Sequence, residues 1–282
     1  MSKQTNYFKY DKAKSIIIAI IVILILIWLI WSNISIEKTN YVISSENLSA
    51  SFNGFKIAHI SDLHNAEFGE NNSKLLEILR DAKPDIIAIT GDIIDNFHTD
   101  TEIALRFLKE AMNIARCYYV TGNHEAWIGI TEYTKFEEKI LELGVIVLHN
   151  EISILENKGE KIAIVGVDDP DYNGRFSENL KQAVTDEYFT VLLSHRPEYL
   201  VDYATNGYNI VLSGHAHGGQ FRLPFIGGLL APNQGWFPEY DSGIFSKENT
   251  VMIVSRGLGN SVVPIRINNR PELIIIELRN AK

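Results

Sequence analysis

The stretch KIAHISDLH, residues 56–64, sets a pattern that the rest of the chain repeats. An apolar run typical of a buried strand is followed at once by two residues that can bind metals, Asp62 and His64. The same order recurs in IIAITGD (86–92), YYVTGNHE (118–125), TVLLSH (190–195) and NIVLSGHAH (209–217). Each polar cluster therefore follows the carboxyl end of a predicted strand, where open α/β sheets place their ligands.

Helical patterns separate the predicted strands in the first half of the chain. Strands are predicted at 56–61, 85–90, 118–121, 145–148, 152–155, 161–167, 190–194, 209–213, 250–255 and 272–278. Helices are predicted at 72–82, 101–115, 133–143 and 178–184, with Thr99 or Asp100 as the N-cap of the second. This order predicts an α/β layered domain. Late strands that follow one another without a helix predict a second mixed sheet packed on the first.

Residues 15–36 contain no charged side chain and consist mostly of Ile, Leu, Val and Trp. A helix of these 22 residues would be about 33 Å long, which matches the hydrocarbon core of a bilayer. The run exceeds the apolar region of a signal peptide, about 7–15 residues, and no small-residue cleavage site follows closely. We predict one transmembrane signal anchor, with cleavage as the alternative. Residues 1–14 are then a cytoplasmic N-terminus, 37–54 a connector that could hold an edge strand, and 55–282 one folded domain.

The charges that flank the apolar run predict its orientation. Four lysines precede the run, whereas only Lys38 follows it closely. The positive-inside rule keeps such an N-terminus in the cytoplasm. We therefore expect a single-pass protein of the cell membrane whose folded domain is extracytoplasmic.

The remaining composition excludes several classes of function. The chain carries 26 basic and 35 acidic side chains, and the resulting net charge of −9 argues against binding to duplex nucleic acid. A phosphate-bearing substrate must therefore be attracted locally, by metal ions or by arginines near the motifs such as Arg175, Arg196 and Arg222. A single cysteine, Cys117, excludes an internal disulfide and a thiolate zinc cluster, and its apolar neighbours predict burial.

The donors in the polar clusters predict a metal site. Without sulfur, they suit Mn²⁺, Fe or Zn²⁺ better than Mg²⁺. They are too many for one four-coordinate ion, but they suffice for two ions about 3.5–4 Å apart that share a carboxylate and clamp phosphoryl oxygens. The seven candidate ligands are Asp62, His64, Asp92, Asn123, His195, His215 and His217.

The ordered set Asp-x-His, Gly-Asp, Gly-Asn-His-Glu, His and Gly-His-x-His resembles the calcineurin-like metallophosphoesterase superfamily over about residues 55–278. The resemblance implies a four-layer α-β-β-α sandwich of two packed mixed sheets, here preceded by one transmembrane helix. It implies a general acid at His124. It also implies one metal held by Asp62, His64, Asp92 and His217, and a second held by Asp92, Asn123, His195 and His215.

An anchor followed by a phosphoesterase domain with the stretch GGQFRLP, residues 218–224, is similar to the bacterial membrane-anchored branch of this superfamily. That resemblance implies hydrolysis of phosphodiester, phosphomonoester or pyrophosphate bonds, including those of lipid-linked substrates. One alternative is a pyrophosphatase acting on UDP-2,3-diacylglucosamine, although the cytoplasmic presentation of that substrate conflicts with the predicted orientation. The other alternative is a catalytically silent metal-binding module, against which the intact His124 argues.

Residues 218–232 are rich in Gly and Pro and yet strongly apolar. They are either a packed loop or an apolar lip, with Phe225 and Leu229, that touches acyl chains or the membrane surface. Outside the motifs, His59 and His149 are predicted to be structural. Asp95 and Glu125 are predicted to orient the metal ligands.

Overall fold

The computed structural model describes residues 2–282, with the side chains of residues 14–172 and 174–282. The lysines at 3, 9 and 12, on which the predicted orientation largely depends, lie outside the described side chains. The helices are α1 (Ser2–Ile34), α2 (Ser73–Ala82), α3 (Thr101–Met112), α4 (Asn123–Trp127), α5 (Ile130–Glu142), α6 (Pro170–Asn173), α7 (Phe176–Gln182) and α8 (Leu200–Thr205).

The strands fall into two large sheets and two short hairpins. They are β1 (Glu37–Ser45), β2 (Lys56–Ile60), β3 (Ile86–Thr90), β4 (Arg116–Val120), β5 (Ile146–Val147), β6 (Glu151–Asn157), β7 (Glu160–Gly166), β8 (Phe189–Leu193), β9 (Ile210–Ser213), β10 (Arg222–Leu223), β11 (Gly227–Gly228), β12 (Leu230–Ala231), β13 (Gly235–Trp236), β14 (Gly243–Lys247), β15 (Thr250–Val254) and β16 (Glu272–Asn280). The first six-stranded sheet has the order β1-β16-β2-β3-β4-β5, and the second has the order β14-β15-β9-β8-β7-β6.

Both sheets are mixed. In the first sheet β2 to β5 are parallel, and β16 runs antiparallel to β2. In the second sheet β15, β9, β8 and β7 are parallel, and the edge strands β14 and β6 are antiparallel to them. Parallel strands end at the same edge of a sheet, so the polar clusters after β2, β3 and β4 meet on one side, as do those after β8 and β9.

Alternating side chains divide each strand between two cores. Ile57 of β2 packs against the second sheet, where it joins Ile164 and Val191. Its neighbour Ala58 faces the opposite way, into the core beneath α2, α3 and α5. A third core lies between the second sheet and the helices α7 and α8, and contains Tyr203 of α8. These three cores separate four layers, which confirms the predicted α-β-β-α sandwich.

The structure corrects several predicted boundaries. The predicted connector contains the edge strand that the sequence allowed there, β1, which pairs with β16 along its whole length. The apolar helix ends at Ile34 instead of residue 36. Asp100 is the N-cap of α3, where its carboxylate accepts from the N–H of Glu102. Strands β10 to β14 and helices α4, α6 and α8 were not predicted.

Helix α1 meets the body at its last turn. Residues 14–34 are long and apolar enough to cross a membrane, and side chains 16–28 are exposed. Ser32, by contrast, is buried, and the amide of Asn33 bonds to the backbone of Arg266. The helix and the body are therefore joined by side-chain contacts as well as by the chain itself.

Candidate metal centre

The clusters that follow β2, β3, β4, β8 and β9 meet at one end of the sandwich. The turns that carry them adopt left-handed backbone conformations that are rare for residues other than glycine. Such conformations cluster at functional sites, where the surrounding structure maintains them. They occur at Asp62 (φ 52°), His64 (φ 45°), Asp92 (φ 51°), His215 (φ 64°) and His217 (φ 47°).

Glycines allow these turns to approach one another. A Cβ atom at Gly122 would overlap the carboxylate of Asp92, and one at Gly214 would overlap the side chains of Ser61 and Asp62. The glycines in the Gly-Asn-His-Glu and Gly-His-x-His motifs therefore make room for carboxylates from neighbouring strands.

The first group of donors surrounds His64. Its Nε2 lies 3.1 Å from Nε2 of His217, 3.6 Å from Oδ2 of Asp92 and 3.9 Å from Oδ1 of Asp62. The Nε2 atom of His217 lies 3.4 Å from the same oxygen of Asp62. These four buried residues offer ligand atoms that all lie within 4.8 Å of one another.

The second group surrounds His195 and uses the same carboxylate oxygen. Nε2 of His195 lies 3.2 Å from Oδ2 of Asp92, 3.1 Å from Oδ1 of Asn123 and 3.2 Å from Nδ1 of His215. The structure thus brings all seven candidate ligands together in two groups, with Asp92 between them.

The chemistry of these donors fits two divalent cations. The nitrogens and carboxylate oxygens of each group converge within a few ångströms of one another, and convergent nitrogen and oxygen donors are the arrangement that such metal ions bind. Burial and the neighbouring His195 and Arg196 hold the pKa of His215 well below its usual range, and burial with the neighbouring His64 does the same for the pKa of His217. Burial alone would also lower the pKa of His195, but the charge of Asp92 raises it to about 10. His215 and His217 are thus neutral, and His195 would release its second proton when a cation binds; imidazoles beside buried carboxylates are a suitable ligand set for transition-metal ions.

Comparison with known proteins agrees with this geometry. The sequence profile of the family described as Calcineurin-like phosphoesterase matches residues 55–219. The chain belongs to this family. It is similar to the uncharacterized metallophosphoesterase YkuE of Bacillus subtilis (strain 168), at 33% identity over 87% of this chain and 86% of that protein.

Two further relatives are described as a phosphodiesterase and as a transmembrane protein. The phosphodiesterase YaeI of Escherichia coli (strain K12) is 27% identical over 79% of this phosphoesterase and 82% of its own length. A transmembrane protein with metallophosphoesterase domain from Danio rerio is 27% identical over 85% of this chain, and the match spans 56% of that protein.

Two acidic residues of the phosphoesterase contact the ligands, or the turns that carry them, on the side away from the ligand groups. The carboxylate of Glu125 accepts from the N–H groups of Asp92 (2.8 Å), Ile93 (2.9 Å) and Gly122 (2.7 Å), which holds the turns after β3 and β4 together. Oδ2 of Asp95 lies 3.4 Å from Nδ1 of His64, the ring nitrogen that points away from the ligand group. These contacts agree with the orienting roles predicted from the sequence.

His124 is placed beside the first ligand group. Its ring lies edge-on to that of His64, with the centroids 4.4 Å apart. Its Nδ1 accepts from the N–H of Asn96 at 3.1 Å, and its Nε2 lies 3.1 Å from Oγ of Ser261. Because Nδ1 accepts, the proton of the neutral ring is on Nε2. That nitrogen is therefore the hydrogen-bond donor of the neutral His124 ring.

Two buried arginines contact the histidines of the Gly-His-x-His motif. Arg196 is buried and forms hydrogen bonds of 2.6 and 2.9 Å with Asp169, so its guanidinium is paired within the protein. It also donates to Oδ1 of Asn233, which lies 3.0 Å from Nε2 of His215. Nη1 of Arg196 also lies 3.1 Å from this Nε2. When the Nε2 proton is donated to Asn233, Nδ1 of His215 is free to bind a metal.

Sequence analysis missed the second arginine, Arg266. It is fully buried, and its Nη2 lies 3.4 Å from Nδ1 of His217. The other expected phosphate ligand whose contacts are described, Arg222, is paired with Asp241 at 2.9 Å. No local motif marks Arg266, because its contacts depend on residues distant in the sequence.

Proposed function

We propose that the protein is a dinuclear metal-dependent hydrolase of phosphodiester, phosphomonoester or pyrophosphate bonds. The observation that carries the proposal is the pair of donor groups that share Oδ2 of Asp92. One ion would be held by Asp62, His64, Asp92 and His217. The other would be held by Asp92, Asn123, His195 and His215. When bound, such ions lower the pKa of a water and neutralise charge on phosphoryl oxygens.

His124 would supply the proton for the leaving oxygen. Transfer of that proton from Nε2 requires the imidazolium form of His124, in which Nδ1 is also protonated and gives up its hydrogen bond from the N–H of Asn96, so the ring ends as a neutral imidazole. The backbone N–H of His124 donates to Oδ1 of Asp92 at 2.8 Å, which ties the ring to the bridging carboxylate. The Nε2 atom can therefore exchange its contact with Ser261 for one with a leaving group without moving the backbone.

Metal content and turnover of the full-length chain in detergent test the proposal. After incubation with Mn²⁺, we expect two bound metals per chain by elemental analysis and hydrolysis of p-nitrophenyl phosphate or bis-p-nitrophenyl phosphate. His217→Ala should lose one metal, whereas the matched change His98→Ala should lose none, because that side chain is 93% exposed. A single metal in the wild type would contradict the dinuclear site. Two metals without turnover on aryl phosphates or pyrophosphates would favour the silent metal-binding module.

We also propose that α1 anchors the protein in the cell membrane with the body on the extracytoplasmic side. Its length, its exposed apolar side chains and the transmembrane relative in Danio rerio support an anchor. The excess of lysines before the span supports the orientation. Protease added to intact bacterial spheroplasts should digest the body. A body that is digested only after lysis would contradict this orientation and would favour the cytoplasmic substrate UDP-2,3-diacylglucosamine.

Two exposed aromatic residues favour substrates with an apolar part, such as lipid-linked phosphoesters. The rings of Phe97 and Trp127 are more than half exposed and lie 6.1 and 5.1 Å from that of His124. Apolar groups beside the proposed proton donor would contact the leaving group. Trp127→Ser should therefore reduce hydrolysis of a long-chain alkyl phosphodiester more than that of its methyl analogue. Equal losses on both would contradict the lipid-linked class.

A further inference from the structure

Two segments of the body expose large apolar side chains without charged ones among them. Residues 223–238 contain no charged side chain, and Arg266, the only one in 257–269, is buried. Exposed apolar patches of this kind on the surfaces of soluble proteins mark interaction sites. The exposed apolar residues, here named the bilayer face, are Leu223, Phe225, Ile226, Leu230, Trp236, Phe237, Val262, Val263, Ile265 and Ile267.

Hydrogen bonds join these two segments into one surface. The side-chain amide of Gln220 donates to the carbonyls of Val263 (2.8 Å) and Ile265 (2.7 Å). The N–H of Arg222 donates to the carbonyl of Ile267 at 3.0 Å. The hairpins that carry Phe225 and Trp236 are connected in turn through Leu229, which is half-buried rather than part of the exposed lip.

The bilayer face is continuous with the anchor. The amide of Asn33 binds both backbone groups of Arg266, at 3.0 Å to its carbonyl and 2.8 Å from its N–H. The guanidinium of Arg270 stacks on the ring of Trp31 at 4.7 Å and donates to the carbonyl of Ser35 at 3.0 Å. These contacts at both ends of residues 266–270 fix the body against the last turn of α1.

This attachment determines the depth of the neighbouring side chains. Tryptophans near the end of a membrane span lie at the interface between lipid and water. Since Trp31 and Asn33 occupy the last turn of α1, Arg266 lies at the same level. Ile265 and Ile267, on either side of Arg266, are exposed at that level.

We propose that the bilayer face inserts into the membrane interface beside the anchor and holds the metal centre at the level of the lipid headgroups. The inference rests on the proposed membrane span of α1. The commitment to a bilayer, rather than to a soluble partner or a second copy, follows from continuity with that span. Burying exposed apolar area in the interface is favourable by about 25 cal/mol per Å².

The opposite side of the same loop contacts the candidate catalytic groups. Ser261 lies against His124, and Arg266 lies against His217. Val262 and Ile265, between these two residues in the chain, face outward. One loop therefore separates the bilayer from the metal centre, so a phosphoester at headgroup level would reach the site without leaving the membrane.

Depth-dependent fluorescence quenching of the full-length chain in phospholipid vesicles tests the proposal. Single cysteines introduced as Phe225→Cys and Val262→Cys would carry an environment-sensitive dye. The native Cys117 is buried, and burial raises the pKa of its thiol to about 12, so it should not be labelled. Lys158→Cys, in the exposed turn between β6 and β7, is the aqueous control, and Ile21→Cys reports on the anchor.

We expect lipids with brominated acyl chains to quench the dye at 225 and 262, while the signal at 158 stays unchanged. If the dyes at 225 and 262 are as little quenched as the dye at 158, while the dye at 21 is strongly quenched, the bilayer face is overturned and the anchor is retained. Quenching at 225 and 262 without quenching at 21 would support the face and contradict the span. Absence of quenching at all four positions would overturn both.

Discussion

Two histidine–carboxylate clusters lie beyond strand ends in this protein, the metal-centre ligands buried and His149 about 30% exposed, and they differ in which atoms face each other. Around His149, one ring nitrogen lies 2.8 Å from Asp168 and the other contacts Glu137. In the metal centre, by contrast, nitrogens also face nitrogens, at 3.1 Å between His64 and His217. The first cluster is complete with protons alone. In the second, several nitrogens and carboxylate oxygens converge closely enough to hold a cation, whereas the described contacts of His149 are ion pairs with protein carboxylates.

The backbone supports the same distinction. Five of the seven candidate ligands have positive φ angles, whereas His149 does not. Left-handed conformations cost of order 1–3 kcal/mol each, and they persist where the surrounding structure over-determines them. The metal centre therefore concentrates backbone strain as well as opposed donors, and the cluster around His149 has neither feature.

The largest effect should follow removal of the shared carboxylate. Asp92→Asn keeps the size of the side chain but weakens both donor groups, so we expect both metals to be lost. Activity should fall by about 10³-fold, since several kcal/mol of stabilisation are removed and each 1.4 kcal/mol is tenfold. Metal analysis and steady-state kinetics would measure this. Retention of one metal would show that Asp92 does not bridge.

A smaller and substrate-dependent effect should follow loss of the proposed proton donor. His124→Ala should slow hydrolysis of alkyl phosphoesters by about 10²-fold, because a poor leaving oxygen needs a proton. p-Nitrophenyl esters should be affected much less, since their leaving group departs as an anion. The metal content should stay at the wild-type value. Equal losses of activity on alkyl and p-nitrophenyl esters would show that His124 does not transfer a proton to the leaving oxygen.

A substitution at Asp95 tests whether this carboxylate orients the ligand His64. Asp95→Asn removes the negative charge beside Nδ1 of His64, so we expect metal affinity to fall by about 10–100-fold. Activity should recover at higher Mn²⁺ concentration, as titration of the apoprotein would show. Failure of excess metal to restore turnover would indicate a role other than orientation of His64.

The cluster around His149 should show the smallest effect, on stability alone. Burial alone would lower the pKa of His149, but Asp168 and Glu137 raise it to about 9. The pKa of histidine in the unfolded chain is about 6.5. The stabilisation from the ion pairs of His149 is therefore complete below about pH 6.5 and is lost as the pH rises through about 9. His149→Gln should therefore lower the free energy of unfolding by about 1 kcal/mol at pH 6, and by less above pH 9.

Thermal unfolding in detergent at both pH values would measure this difference, and metal content provides the control. The variant should bind as many metals as the wild type. A loss of metal would show that the two clusters are not independent. A stability difference that grows with pH would contradict the proposed ion pairs.

Much of the fold was predicted because its signals are local. Strands such as β3 and β8 are short apolar runs followed by glycine or polar ligands, a pattern readable within ten residues. The edge strand β1 lacked this signal, because its sequence is mostly polar and only Ile43 is buried along it. Its conformation depends on pairing with β16, which lies more than 200 residues away.

The sequence by itself indicated the seven candidate ligands, the layered α/β fold and the apolar helix, since each is encoded by neighbouring residues whose spacing specifies a local conformation. The four-layer sandwich and the sharing of Asp92 were implied by the family resemblance, and tertiary structure alone decided that Arg266 lies against His217. It also decided that Asn33 clamps the backbone of Arg266, a contact across 233 positions. Such contacts depend on how distant segments pack, and no local pattern of residues records that packing.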